Sequence, residues 1–161
     1  MDQASDPRIP LEACRISSAT LADSGRILEV ETPAKAREAS ILIVDDDEGV
    51  TQTFARMLAL EGYDVQTAFN AQEGLELAHE RLPDAIILDL RMPLVDGLGF
   101  LRQFRVIDAR RTTSVAIVTG DYFLDDAVAR ELRELGAELR FKPLWLEDLV
   151  RLARNLLKVT H

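Results

Sequence analysis

Four apolar runs in this sequence each end on a residue that can hold an oxygen anion, a phosphoryl oxygen or a hard cation. "ILIV" (41–44) runs into Asp45, Asp46 and Asp47; "AIIL" (85–88) ends on Asp89; "VAIV" (115–118) ends on Thr119; "LRF" (139–141) ends on Lys142. Carboxylates that close together raise each other's cost of ionisation unless solvent or a cation relieves them. Asp45, Asp46 and Asp89 bring three negative charges against the one positive charge of Lys142, so a single divalent cation balances the group. Carboxylates, a carbonyl and water are the ligands Mg²⁺ prefers, often completed by phosphate oxygens. A carboxylate is also a nucleophile able to form an aspartyl phosphate, and phosphoryl transfer depends mostly on positioning and charge neutralisation. The residue types therefore point to metal-assisted phosphoryl chemistry.

Such residues need elements to position them, and the pattern supplies these from Ile41 onward. Short, continuous apolar runs are what strands covered on both faces look like. Between them the apolar residues recur at helical spacing: Val50, Phe54, Met57 and Leu58 before a glycine stop at "EGY" (61–63); Ala71, Leu75 and Ala78 after the capping residue Asn70, ending before Pro83. Further helices are expected through Phe100, Leu101 and Phe104, over Leu124–Leu135, and over Leu146–Val159 with Leu149, Val150, Ala153, Leu156 and Leu157 inward. Tyr63–Ala68 reads as a strand, as does Leu139–Phe141. Strand and helix alternating five times in about 120 residues makes a five-stranded, doubly wound α/β domain with a parallel sheet. In such sheets ligands bind outside the carboxyl ends of the strands, which is where Asp45, Asp46, Asp89, Thr119 and Lys142 fall.

Composition sets the limits. The chain has 161 residues, of which 47% are hydrophobic and 29% charged, normal for a soluble globular domain. Its net charge of −9 and the lack of a Lys/Arg run beyond Arg110–Arg111 disfavour direct nucleic-acid binding. Cys14 is the only cysteine, which fits a reducing, cytoplasmic setting, and it shows no ligand spacing with His79 or His161. No apolar stretch is long enough for a membrane span. Residues 1–40 carry three of the six prolines and only short apolar runs; they read as a flexible tail or linker, with the folded domain at 41–161.

"ILIVDDD", "IILDLRMPLVDG", "VAIVTG" and "RFKPL", in this order and spacing, resemble the response-regulator receiver domains of two-component signalling, over about residues 41–159. The resemblance implies a CheY-like, flavodoxin-like (βα)5 fold with strand order 2-1-3-4-5. It implies that Asp89 is the phosphoacceptor, taking its phosphoryl group from a histidine kinase, a histidine phosphotransfer protein or a small phosphodonor. Asp46 directly, Asp45 more through water, Asp89 itself and the backbone carbonyl of Arg91 would hold Mg²⁺, for which Mn²⁺ is the substitute. Thr119 and Lys142 would bind phosphoryl oxygens, and the Lys142–Pro143 peptide is cis in many relatives. Arg91 and Asp121 occupy positions that tune the lifetime of the aspartyl phosphate, and an ion pair between them over the site is expected. Output would pass through the face of helix 4, strand 5 and helix 5 to a partner or, by self-association, a homodimer. Nothing in the sequence after the last helix reads as a DNA-binding domain, so a stand-alone, phosphorylation-switched module is expected rather than an enzyme acting on a separate substrate.

Some positions depart from that pattern or read more plainly. Leu139 stands where receivers often carry an aromatic ring that reports the switch. Gly120 leaves room for a phosphodonor to approach. Phe141 is expected to pack in the core, Trp145 to pack rather than bind, Asp47 to cap the first helix, Asp96–Gly97 to be a turn, and His79 to face solvent. Two other readings stand beside the receiver: a degenerate receiver that binds partners without phosphorylation, and a haloacid-dehalogenase-like phosphohydrolase using the Asp45-Asp46-Asp47 run.

Overall fold

The computed structural model describes residues 37–159; the expected tail lies outside the described residues as far as position 36. Strands and helices alternate as β1 (Ser40–Val44), α1 (Glu48–Leu60), β2 (Asp64–Ala68), α2 (Ala71–Glu80), β3 (Ala85–Asp89), α3 (Gly97–Ile107), β4 (Ser114–Thr119), α4 (Asp126–Glu134), β5 (Ala137–Phe141) and α5 (Leu146–Val159). The five strands form one sheet in the order β2-β1-β3-β4-β5, every neighbouring pair parallel. The expected fold class and strand order are those observed.

The continuous apolar runs are explained by burial on both faces. Alternation sends Leu42, Val44, Ile86, Leu88, Val115 and Ile117 to one layer, where Phe100, Leu101, Phe104 and Leu132 from the helices meet them. Ile41, Ile43, Ala85, Ile87, Ala116 and Val118 face the other layer, against Leu58 of α1 and Leu149, Leu152, Ala153 and Leu156 of α5. Phe100, Phe104 and Leu101 are fully buried, each stabilising the fold by roughly 1.5–3 kcal/mol relative to exposure.

Four of the five helix starts are fixed by a side chain one residue ahead of the helix. Asp47, Asn70, Asp96 and Asp125 accept from the amides of Val50, Glu73, Gly99 and Ala127. Removing one such cap costs about 1 kcal/mol. Asp47 and Asn70 thus act as the sequence implies, and His79 is exposed.

Five expectations need correction. Asp96–Gly97 is the capped start of α3 rather than a simple turn. Leu124 precedes α4, because Asp125, the residue after it, takes the capping position and the helix begins only at Asp126. β5 begins at Ala137, two residues before the apolar run that marked it. Phe141 is 41% exposed instead of buried: β5 is an edge strand, and its last residue lies against Tyr122 rather than under a helix. Trp145 is 72% exposed, its carbonyl accepting from Leu149 N–H as α5 begins, so its ring is not packing into the core.

Candidate functional site

Parallel pairing in register delivers four strand ends to one edge of the sheet. Val44 lies opposite Leu88, Asp89 opposite Val118, and Thr119 opposite Phe141. The residues at or just past those ends are therefore brought together although they are up to 97 positions apart, the separation of Asp45 and Lys142.

Asp45, Asp46 and Asp89 each offer a carboxylate oxygen, and these atoms lie within 4.8 Å of one another. Asp45 and Asp89 are buried and Asp46 is exposed, so the cluster opens toward solvent through Asp46. Lys142 Nζ lies 2.9 Å from Asp45 Oδ2 and 3.4 Å from Asp89 Oδ1. The other Asp45 oxygen accepts from Asp47 N–H at 2.9 Å. Burial pushes the Asp89 carboxyl above its ordinary range, and the charges of Asp45 and Asp46 push the same way against the pull of Lys142. For Lys142 burial works against the ammonium, but the hydrogen bond to Asp45 and the charges of Asp89 and Asp45 outweigh it and raise the group. One lysine thus contacts two of the three clustered acids, and oxygen donors at this separation, carrying this excess of charge, fit a hard divalent cation.

Thr119 is fully buried, and its Oγ1 accepts from Asp121 N–H at 3.1 Å. A hydroxyl has one hydrogen to donate as well as lone pairs to accept with, so accepting from Asp121 does not use that hydrogen. Arg91 and Asp121 form the expected ion pair: Arg91 Nε donates to Asp121 Oδ2 at 3.1 Å, and the adjacent Nη2 reaches the same oxygen. That contact, with a bond from Phe123 N–H, lowers the Asp121 carboxyl and raises Arg91. Arg91 also borders an open cleft with Asp46, Met92, Pro93 and Asp96. A Cβ at Gly120 would meet nothing within 4 Å, so there is open space beside the residue that follows Thr119. Leu139 is half-buried, packed on the core cluster of the α3 side. The Lys142–Pro143 peptide is cis.

Three residues that support the site carried little signal in the sequence. Thr51 is fully buried and ties the turn after β1 to α1 by donating toward the carbonyls of Asp45 (3.1 Å) and Asp47 (2.8 Å); its place on the apolar stripe of α1 was the available clue. Gly97 is required by contact. A Cβ there would lie 2.6 Å from the carbonyl oxygen of Asp89 and 2.8 Å from Leu90 Cα, while Gly97 N–H donates to Leu90 O at 2.8 Å. Tyr122 donates its hydroxyl to the carbonyl of Lys142, a contact no periodicity announces.

Comparison with known proteins agrees with this geometry. The family model of the response regulator receiver domain matches residues 41–154. The transcriptional regulatory protein PrrA of Mycobacterium tuberculosis is 37% identical over 119 residues, covering 73% of this chain and 49% of its own length. The response regulator MprA of Mycobacterium ulcerans is 35% identical over 129 residues, covering 74% and 50%. The chain spans about half the length of the curated relatives it matches. Among solved structures, the chemotaxis protein CheY4 of Vibrio cholerae superposes with a TM-score of 0.68 at 27% identity, over 74% of this chain and 99% of its own. A receiver domain protein of Clostridium thermocellum gives 0.67 at 31%, over 75% and 95%.

Proposed function

This chain belongs to the response regulator receiver domain family, and from that premise we propose that it is a phosphorylation-switched signalling module whose phosphoacceptor is Asp89. The observation that carries the proposal is the buried Asp89 carboxyl gathered with Asp45 and Asp46 within 4.8 Å and faced by Lys142. One Asp89 oxygen attacks the phosphorus of a phosphohistidine on a kinase or phosphotransfer partner. The bond from phosphorus to the imidazole nitrogen breaks, and its electron pair leaves with the imidazole. With a small acyl phosphate, the acyl carboxylate leaves instead. Mg²⁺, or Mn²⁺ in its place, held by Asp45, Asp46, Asp89 and the Arg91 carbonyl, would neutralise charge developing on the phosphoryl oxygens. Lys142 Nζ neutralises a further oxygen, and the spare hydrogen of Thr119 Oγ1 is donated to another. Hydrolysis of the resulting acyl phosphate by water resets the module, and the Arg91–Asp121 pair slows that water's approach.

Output is proposed for the α4–β5–α5 face. β5 is one of the sheet's two edge strands and exposes Arg140 and Phe141, and an uncovered edge with exposed side chains offers a surface to a partner or a second copy. The phosphohydrolase alternative is less well supported, since Asp47, which would be its second acid, is committed to capping α1. The degenerate alternative lacks a missing acid to rest on. Incubation with acetyl phosphate and Mg²⁺, followed by intact mass and hydroxylamine lability, tests the proposal. An acyl-phosphate adduct that chelator prevents is expected; turnover of phosphate monoesters abolished by Asp45→Asn and retained by Asp89→Asn would instead establish the hydrolase.

A further inference from the structure

Lys142 can serve Asp89 only if its backbone is held where the side chain reaches, and two contacts do this, both from the β4 end. Lys142 N–H donates to Thr119 O at 2.8 Å. On the far side of the residue the chain enters Pro143, which has no N–H to anchor it, and there the Lys142 carbonyl accepts the hydroxyl of Tyr122. The Tyr122 ring is in turn stacked on Phe141, with centroids 5.5 Å apart and planes 13° from parallel. Offset aromatic pairs at this spacing contribute beyond their buried area. Tyr122 is 63% exposed, yet both its ring and its hydroxyl are engaged with the end of β5.

The same short loop is fastened to the rest of the site. Asp121 holds Arg91 through its carboxylate and Thr119 Oγ1 through its amide, and Phe123 N–H donates to Asp121 Oδ1 at 3.0 Å. Loop residues 121–123 thus link the two groups that must meet a phosphoryl oxygen, the Thr119 hydroxyl and the Lys142 ammonium. We propose that Tyr122 is a positioning residue that acts through Lys142, its hydroxyl and its stack on Phe141 forming a latch that fixes the lysine relative to Thr119 during phosphoryl transfer to Asp89. The proposal rests on the role given to Lys142 above.

Tyr122→Phe keeps the stack and removes the hydroxyl. Its initial rate of self-phosphorylation from acetyl phosphate at saturating Mg²⁺ is expected to fall about fivefold, one ordinary hydrogen bond's worth of barrier, while Mg²⁺ affinity measured by calorimetry and the thermal midpoint stay as in the parent. In a Lys142→Met background the same substitution is expected to have no further effect, because a residue acting through the lysine has nothing left to act on. An unchanged rate in Tyr122→Phe, or an equal loss with and without Lys142, overturns the latch. A parent that takes no label overturns the function proposed above and this inference with it; a labelled parent with an unaffected Tyr122→Phe overturns the latch alone.

Discussion

Asp89 and Asp108 are both buried acids at the ends of the central elements, 6% and 2% exposed, and they are held in opposite ways. Asp108, at the end of α3, is surrounded by donors: Thr112 N–H at 2.9 Å, Thr112 Oγ1 at 2.8 Å, Thr113 N–H at 2.9 Å and Arg105 Nη1 at 3.1 Å. Arg105 is itself completed by the carbonyls of Leu135 and Thr113. Asp89 has Lys142 at 3.4 Å and two acids beside it. A buried carboxylate with all its acceptors filled fastens a loop; one left with surplus like charge is poised for a ligand. The amino-terminal edge of β4 is finished structure, and the carboxyl-terminal edge is the candidate site.

The largest effect should fall on the finished end. Asp108→Ala strands a buried guanidinium and two loop amides and should cost about 3–5 kcal/mol, read as a lowered denaturant midpoint; a loss below about 1 kcal/mol would erase the contrast. Next comes a pair of glycines on opposite sides of the site. Gly97→Ala drives a methyl into the Asp89 carbonyl and should cost about 1–3 kcal/mol, together with the labelling of Asp89. Gly120→Ala has open space around it and should leave stability unchanged, so equal costs at the two positions would contradict the packing described.

Asp89→Asn should act in the opposite sense to Asp108→Ala. The Asp89 carboxyl is raised in the fold by burial and by Asp45, so the folded state holds its proton more firmly than the unfolded state does. The stability this contributes is present below the ordinary carboxylate range, near 3.9, and is lost as pH rises through the raised value. Without divalent cations, Asp89→Asn should therefore melt higher than the parent at neutral pH and converge with it in acid. A variant that melts lower at neutral pH would show Asp89 to be as well satisfied as Asp108. The smallest change in stability is expected of Arg91→Ala, which removes an exposed ion pair of a kind worth little to folding. Its thermal midpoint should hold while the adduct's half-life shortens; an unaltered half-life removes the pair from the chemistry.

The strand-end acids, Thr119 and Lys142 were legible because apolar runs announce strands and a parallel sheet aligns their ends. Helix caps such as Asn70 were legible for a local reason, the capping residue being adjacent to the pattern it starts. What could not be read depended on contacts distant in sequence. Phe141 looks like a core residue until its strand proves to be the sheet's edge, and Trp145 looks like one until the helix after it turns its apolar side elsewhere. Gly97 reads as a turn glycine, because the carbonyl that excludes a side chain there belongs to Asp89, eight residues earlier. Asp108 and Arg105 gave no signal at all: a charged residue in or just after an amphipathic helix is ordinarily solvated, and only the returning loop at Thr112–Thr113 makes them a buried network.

The central claim is that surplus negative charge at one sheet edge prepares a single carboxylate to be esterified. Peptide mapping of protein treated with acetyl phosphate and Mg²⁺ addresses it most directly, in the parent and in Asp89→Asn. The account predicts one modified residue, Asp89, and no adduct in the variant; a label found at Asp45 or Asp46, or undiminished in Asp89→Asn, would contradict it.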